Sequence, residues 1–505
     1  MNRTKKFFYN SLTTAIYQMF LMLAGFITPQ VMLRFYGSEI NGLVSSINQF
    51  IIYFNLVEAG LSGAAIYALY KPLADNDYQA VNGVISAAKK FYIQAGYFFI
   101  SLTLGLALIY PLFVKTHTVS TLDIGLLVLI LGVNGALEFF TLSKYRVLLT
   151  ADQRTYVISL ASLVYIIVNT AIIVIFAKLG TGIVLLRFIA LLSIFLRSII
   201  LMTYVKVKYR YLDYKEKPNI GALNKRWDAF YLQILGAIQN GAPIVIITLM
   251  LNDLKQVSVY TVFNMVLGGI GGILSIFVSG LAASFGDVIA RNEQSTLQKV
   301  YCEFEFSYYS LITIIYAITF VTIMPFVRIY TAGITDVSYD LPLIGFLFVL
   351  NGILYNLKTP QGMLVTAAGL FKETKLQTTI QGLIAVVGGI ALTPFLGIAG
   401  VLVGSILSNI YRDIDLLFFT PHHITKLPVR NTVFRWFRMI ICLLVVGISA
   451  KFIQVKLDNY LSWMFYVIGS GIYALIVVTL NGIIFDKADL KGIFQRMISI
   501  LGVGR

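Results

Sequence analysis

Fourteen apolar segments, each about 20 residues or longer, run through this 505-residue chain. As a helix, each is long enough to cross the roughly 30 Å hydrocarbon layer of a bilayer. Lipid offers no hydrogen-bond partner to an unpaired backbone amide, so the spanning form is helical. With 58% hydrophobic residues, 12% charged residues and a mean hydropathy of +0.83, no stretch is left over for a soluble domain. The chain reads as an all-α polytopic membrane protein with about 14 transmembrane helices.

The formal charge of +16 invites a nucleic-acid reading, but the basic residues fall on alternate connections. One side collects 29 of the 39 Lys and Arg residues, from Arg3, Lys5 and Lys6 through the cluster Lys206–Arg226 to the C-terminal four. The other side holds seven, among them Arg34, Lys115, Lys178 and Arg328. Arg187, Arg197 and Lys358 lie inside helices. The positive-inside rule then places both termini in the cytoplasm. The excess is an orientation signal and an attraction to anionic lipid, and no nucleic-acid partner is expected. The apolar run after MNRTKKFFYN is too long for a signal-peptide core and lacks an A-x-A-like exit, so an uncleaved first helix is expected. Cys302 near the cytoplasmic face and Cys442 within a helix predict no disulfide.

The chain repeats itself. "NGALEFFTLSKYRVLLTADQRTYV" from Asn134 lies on "NGILYNLKTPQGMLVTAAGLFKETKL" from Asn351, an offset of about 217. "LGTGIVLL" from Leu179 matches "LGIAGVLVG" from Leu396, and "ADNDYQAVNGV" echoes "ARNEQSTLQKV". Six helices per copy is an even number, so both copies enter the membrane in the same sense and form parallel lobes. The expected organisation is a six-helix lobe over 1–203, a basic linker over 204–227, a second six-helix lobe over 228–419 and two additional helices over 437–485. Such a duplication points to transport by alternating access.

The stretch "RFYGSEINGLVSSINQFIIYFNLVEAGLSGAAIYALYKPLADND", Arg34 to Asp77, together with "KYRVLLTADQRTYV", Lys144 to Val157, resembles the polysaccharide-repeat (Wzx-type) oligosaccharide flippases. These belong to the multidrug/oligosaccharidyl-lipid/polysaccharide exporter superfamily. The resemblance implies a MATE-like fold, twelve helices in two bundles and two peripheral ones. It also implies a substrate, an undecaprenyl-pyrophosphate-linked oligosaccharide carried from the inner to the outer leaflet of a bacterial cytoplasmic membrane for surface polysaccharide synthesis. Polysaccharide-assembly proteins are candidate further partners. No enzyme activity and no cofactor are expected. The chain has no G-x-x-x-x-G-K-[ST] run, so an ion gradient or consumption of the product outside would drive the step.

Charges at membrane depth are costly and normally face protein or water, which makes them site candidates. Arg187 lies about six residues, roughly 9 Å, into the sixth helix. Glu58 sits mid-way along a long second helix that Gly60 and Gly63 would bend. Lys358, Glu138 and Arg197 fall roughly 24 Å from the outer ends of their helices. One reading has Arg187 and Lys358 holding pyrophosphate or acidic sugars, with Glu58 or Glu138 as counter-ion or coupling-proton site. The plainer reading has Lys358, Arg197 and Glu138 reaching the cytoplasmic interface and Glu58 pairing structurally. The run Gly268–Gly272, and Gly397, Gly400 and Gly404, read as close-packing or bending positions. His117, His422 and His423 are the three histidines and suggest no metal site.

Three rival readings share these features. A multidrug exporter has the same twelve-helix plan. A membrane-embedded polymerase or glycosyltransferase needs a large outside loop, whereas the longest here runs from about Phe326 to Asp340. A non-transporting scaffold would tolerate substitution of the intramembrane charges.

Overall fold

The computed structural model describes residues 3–58, 61–223, 226–278, 281–452, 457–492 and 495. Gly60, one of the two expected bending points, lies outside them, as do Lys225 of the basic cluster and Arg496 and Arg505 of the C-terminal four.

The chain forms helices α1 Arg3–Phe54, α2 Leu61–Asp75, α3 Tyr78–Phe113, α4 Thr121–Thr141, α5 Ser143–Ala151, α6 Thr155–Lys178, α7 Ile183–Leu191, α8 Ser193–Lys208 and α9 Arg226–Leu251. Then come α10 Leu254–Val278, α11 Leu281–Ala290, α12 Gln294–Tyr330, α13 Pro342–Leu357, α14 Thr359–Ala367, α15 Lys375–Leu396, α16 Ile398–Thr420, α17 Val429–Phe452 and α18 Tyr460–Phe485. Polar residues set several starts. Asp77 caps α3 by accepting from the Ala80 amide at 2.9 Å, Ser120 caps α4, and Asn459 with Ser462 closes a capping box on α18.

Twelve stretches among the described residues are long and apolar enough to cross a membrane. The count differs from fourteen for two local reasons. The first candidate, Phe8–Asp75, contains two expected helices in one run. Their junction is Gly37, whose φ of 82° turns the chain without ending the helical hydrogen bonding for long. The segment α16 falls out because Arg412, Asp413 and Asp415 interrupt its apolar run. Leu108, Phe113, Leu179, Phe395 and Phe485 stand more than three-fifths exposed, as the belt of a lipid-facing helix bundle requires.

The duplication is visible in element boundaries. Helix α12 starts 216 residues after α3, α14 spans the positions of α5 shifted by the same 216, and α10 starts 216 after Ser38, where α1 resumes beyond its kink. The chain clusters into two compact units, Met1–Thr261 with Gly333–Val337, and Val262–Ala332 with Ser338–Arg505.

In the first unit, α1 packs on α6, α3 on α4, and the post-kink half of α1 on α9. Asp336 takes hydrogen bonds from the Ser38 amide at 2.8 Å and its hydroxyl at 2.7 Å, capping the resumed helix. Gly42 is required further along, because a Cβ there would stand 1.8 Å from the Leu254 carbonyl oxygen. Asn41 donates to the Ser258 hydroxyl at 2.8 Å beside it.

In the second unit α15 lies against α16 with backbones almost touching: a Cβ on Gly404 would meet the Gly389 nitrogen at 2.5 Å. Gly400 is equally tight, as expected, but Gly397 serves the turn between the two helices with φ +58° and open space around it. Gly268, Gly271 and Gly272 also have no atom of the described residues within 4 Å of a Cβ, and α10 runs on through them. For that run, close packing is not the reason for glycine. The two added helices are tied on by charge. Buried Glu305 of α12 pairs with Arg435 of α17 at 2.7 Å, and Arg435 reaches Asp489 beyond α18 at 2.5 Å. Arg438 pairs with Asp486 at 2.6 Å.

Candidate functional site

The first unit gathers four of the five candidate charges. Glu58 is not inside a continuous helix. It ends a short 3-10 turn, Asn55–Glu58, between α1 and α2, next to Tyr92 and within electrostatic reach of Arg146 and Glu138. Glu138, in the last turn of α4, accepts from Arg197 of α8 at 2.7 Å and from Arg146 of α5 at 3.4 Å. The break between α4 and α5 at Leu142 turns Arg146 back towards that carboxylate. The Arg197 guanidinium also lies 5.9 Å from the Tyr165 ring of α6.

Arg187, in α7, sits close to Tyr36 and the same Tyr165. Its Nε is buried and has no hydrogen-bond partner among the described residues. Tyr36 is held by a 2.6 Å bond to the Thr181 carbonyl, just before α7 begins. A polar track therefore runs from Arg187 past Tyr165 to Arg197, Glu138 and Arg146, with Glu58 at its end. Every cation on it except Arg187 has a carboxylate partner. The buried Nε of Arg197 is likewise without a partner among the described residues, so what sets Arg187 apart for an incoming anion is that no carboxylate already answers its charge.

Lys358, the fifth candidate, belongs to the second unit. It sits at the break between α13 and α14, and its Nζ donates to Asn409 Oδ1 of α16 and lies 4.7 Å from the Tyr355 ring. Asn409 in turn donates to Asn351 Oδ1 at 2.9 Å. Asp413, one turn beyond Asn409, lies within electrostatic reach of Lys358, is 3% exposed, and neither carboxylate oxygen has a hydrogen-bond partner among the described residues. Neighbouring Arg412 is occupied by Asp415. Lys358 is thus a half-buried cation held by a side-chain bond. Asp413 also lines a cavity of about 560 Å³ whose walls are otherwise apolar, among them Phe320, Leu350, Trp436, Leu443 and Ile448.

Sequence reasoning passed over Tyr165, Asn409 and Asp413. The Tyr and Asn carry no charge to flag them. Asp413 was legible as an acid in an apolar run, but stood masked between Arg412 and Asp415.

No protein-family model matches the chain, and no curated protein matches it. Solved structures do. A lipid II flippase, MurJ, in an inward closed conformation aligns with 94% of this chain and 99% of its own, at TM-score 0.72 and 14% identity. The chain has the fold of the MATE and MurJ transporters. A multidrug resistance MATE family transporter of the MOP superfamily, in an inward-facing conformation, aligns over 83% of this chain and 99% of its own at TM-score 0.65 and 14% identity. The MATE multidrug transporter DinF-BH gives 0.61 at 15% identity, over 83% and 96%. At these identities the likeness is one of fold. The matched proteins are transporters or flippases, and this chain is a multi-pass membrane protein of their architecture.

Proposed function

We propose that this protein flips a polyprenyl-diphosphate-linked oligosaccharide from the cytoplasmic to the outer leaflet of a bacterial cytoplasmic membrane, both termini being cytoplasmic. The step would proceed by alternating access and draw on an ion gradient, for surface polysaccharide synthesis. The observation that carries this reading is the extent of the fold match. The lipid II flippase aligns with 94% of the chain at TM-score 0.72, against 83% and 89% for two MATE structures at 0.65 and 0.57. The buried, unpartnered Nε of Arg187 supports it, since a diphosphate crossing hydrocarbon needs donors that are not already spent. The test is the leaflet distribution of lipid-linked oligosaccharide in cells lacking the protein.

A second reading rests on a different residue. The buried Asp413 carboxylate, which accepts no hydrogen bond among the described residues and faces an apolar cavity, suits a lipophilic cation, as in a multidrug exporter. New drug sensitivity with unchanged lipid intermediates in the same cells favours that reading.

A further inference from the structure

The segment after α8 is folded down on the first unit. Asn82 of α3 donates to the Tyr211 carbonyl at 3.0 Å, and the Asn219 amide donates to the Gly83 carbonyl at 3.0 Å. The rings of Tyr78 and Tyr211 lie 4.0 Å apart, and a short 3-10 turn, Ile220–Leu223, packs against α2 and α3. These contacts hold the segment that carries Tyr214 against α3, near the start of α5. Lys89 of α3 and Lys144, in the first turn of α5, each place Nζ 5.4 Å from the centre of the Tyr214 ring. Lys144 also lies 5.0 Å from the ring of buried Tyr145, whose hydroxyl is within hydrogen-bonding reach of Tyr214.

Lys6 and Arg154 of the same unit both pair with Asp152. No carboxylate pairs with Lys89 or Lys144 among the described residues. A ring face answers a cation only weakly and leaves the mutual repulsion of two ammoniums in place. Burial and the charge of Lys89 both push the Lys144 ammonium below its ordinary value, as expected of a site lacking its counter-ion. A doubly charged anion would answer both cations at once, and the two tyrosine hydroxyls are donors of the right kind for its oxygens.

We propose that Lys89 and Lys144, with the hydroxyls of Tyr145 and Tyr214, form a binding site for a phosphate or diphosphate group on the basic face of the first unit. Resting on the function proposed above, this is where the diphosphate of the lipid-linked substrate first docks, ahead of the buried Arg187.

Isothermal titration of the purified full-length protein with inorganic pyrophosphate tests the site without any transport step. Saturable binding is expected, weakened about tenfold or more in the Lys89→Gln/Lys144→Gln double variant and kept by the Lys→Arg pair, from the loss of two charge-assisted contacts. No saturable binding, or a double variant within about twofold of the parent, overturns the site. Amine-reactive labelling of the unsubstituted protein gives a second reading should the Gln variants not fold. Pyrophosphate protects Lys89 and Lys144 but not Lys90 or Lys215; equal labelling with and without it overturns the site. Displacement of pyrophosphate by a polyprenyl diphosphate but not by phosphatidylglycerol vesicles supports substrate docking, and equal displacement by both overturns that assignment. If cells lacking the protein show normal lipid intermediates, the flippase reading falls while the titration still decides the site.

Discussion

Nη1 of Arg197 donates a 2.7 Å hydrogen bond to Glu138 Oε1, joining two intramembrane charges that lie 59 residues apart in sequence. Each alone is expensive at membrane depth; together with Arg146 they neutralise one another locally. Removing Arg197 leaves Glu138 with only the longer 3.4 Å bond. Arg197→Ala is expected to cost about 1–3 kcal/mol of stability. Arg197→Ala combined with Glu138→Ala should cost less than the two single losses added together. Thermal unfolding in detergent of the four proteins checks this; strict additivity would show that the pair is not coupled.

Arg187 stands in contrast, because its buried Nε has no partner among the described residues. Arg187→Ala therefore removes no satisfied bond, and unfolding should be unchanged or improved by up to about 1–3 kcal/mol. Export of lipid-linked oligosaccharide should be abolished in the same variant and partly kept by Arg187→Lys. Normal export by Arg187→Ala removes this residue from the mechanism.

Half-buried Lys358 and buried Asp413 are opposite charges within electrostatic reach of each other. Removing one partner strands the other, so Lys358→Met or Asp413→Leu alone should destabilise by about 3–5 kcal/mol, whereas the double apolar variant should lie near the parent. Yield and unfolding temperature of the three variants measure it. A double variant as unstable as the worse single one would argue against the pair.

Asp152, in the turn between α5 and α6, titrates outside the membrane. Burial acts to raise its carboxyl, but hydrogen bonds from Lys6 and Tyr209 and the charge of Arg154 outweigh it and hold it below the ordinary 3.8. A carboxyl depressed on folding contributes stability above its unfolded value, and loses it as pH falls through the folded one. The unfolding temperature should therefore drop as pH is lowered through and below 3.8, and Asp152→Asn should flatten that part of the profile.

Two glycine substitutions should behave oppositely. Gly404→Ala puts a Cβ 2.5 Å from the Gly389 backbone and should cost about 1–3 kcal/mol. Gly268→Ala meets open space within a helix and should be neutral or stabilising by up to about 1 kcal/mol. Unfolding temperatures of both variants decide between packing and bending as the reason for each glycine.

Much of the fold was legible because apolar length and backbone satisfaction in lipid leave one solution. The repeat was legible because Asn134 and Asn351 head equivalent stretches, each containing a helix break, at Leu142 and at Lys358. What sequence could not show was pairing across helices. Arg197 and Glu138 look like separate interfacial charges until α8 is laid beside α4. The helix gives way at Asn55–Glu58, ahead in sequence of Gly60 and Gly63, because no glycine or proline within the turn marks it. Arg435 reads as a loop cation by its position, yet it is 9% exposed and paired with buried Glu305.

The central claim is that this fold carries a lipid-linked oligosaccharide between leaflets. The direct measurement is lipid extraction and mass analysis of a strain lacking the protein, with leaflet accessibility probed. The account predicts the complete polyprenyl-diphosphate oligosaccharide accumulating on the cytoplasmic side, with surface polymer lost. The complete unit reaching the outer leaflet, or lipid intermediates and polymer unchanged from the parent strain, would contradict it.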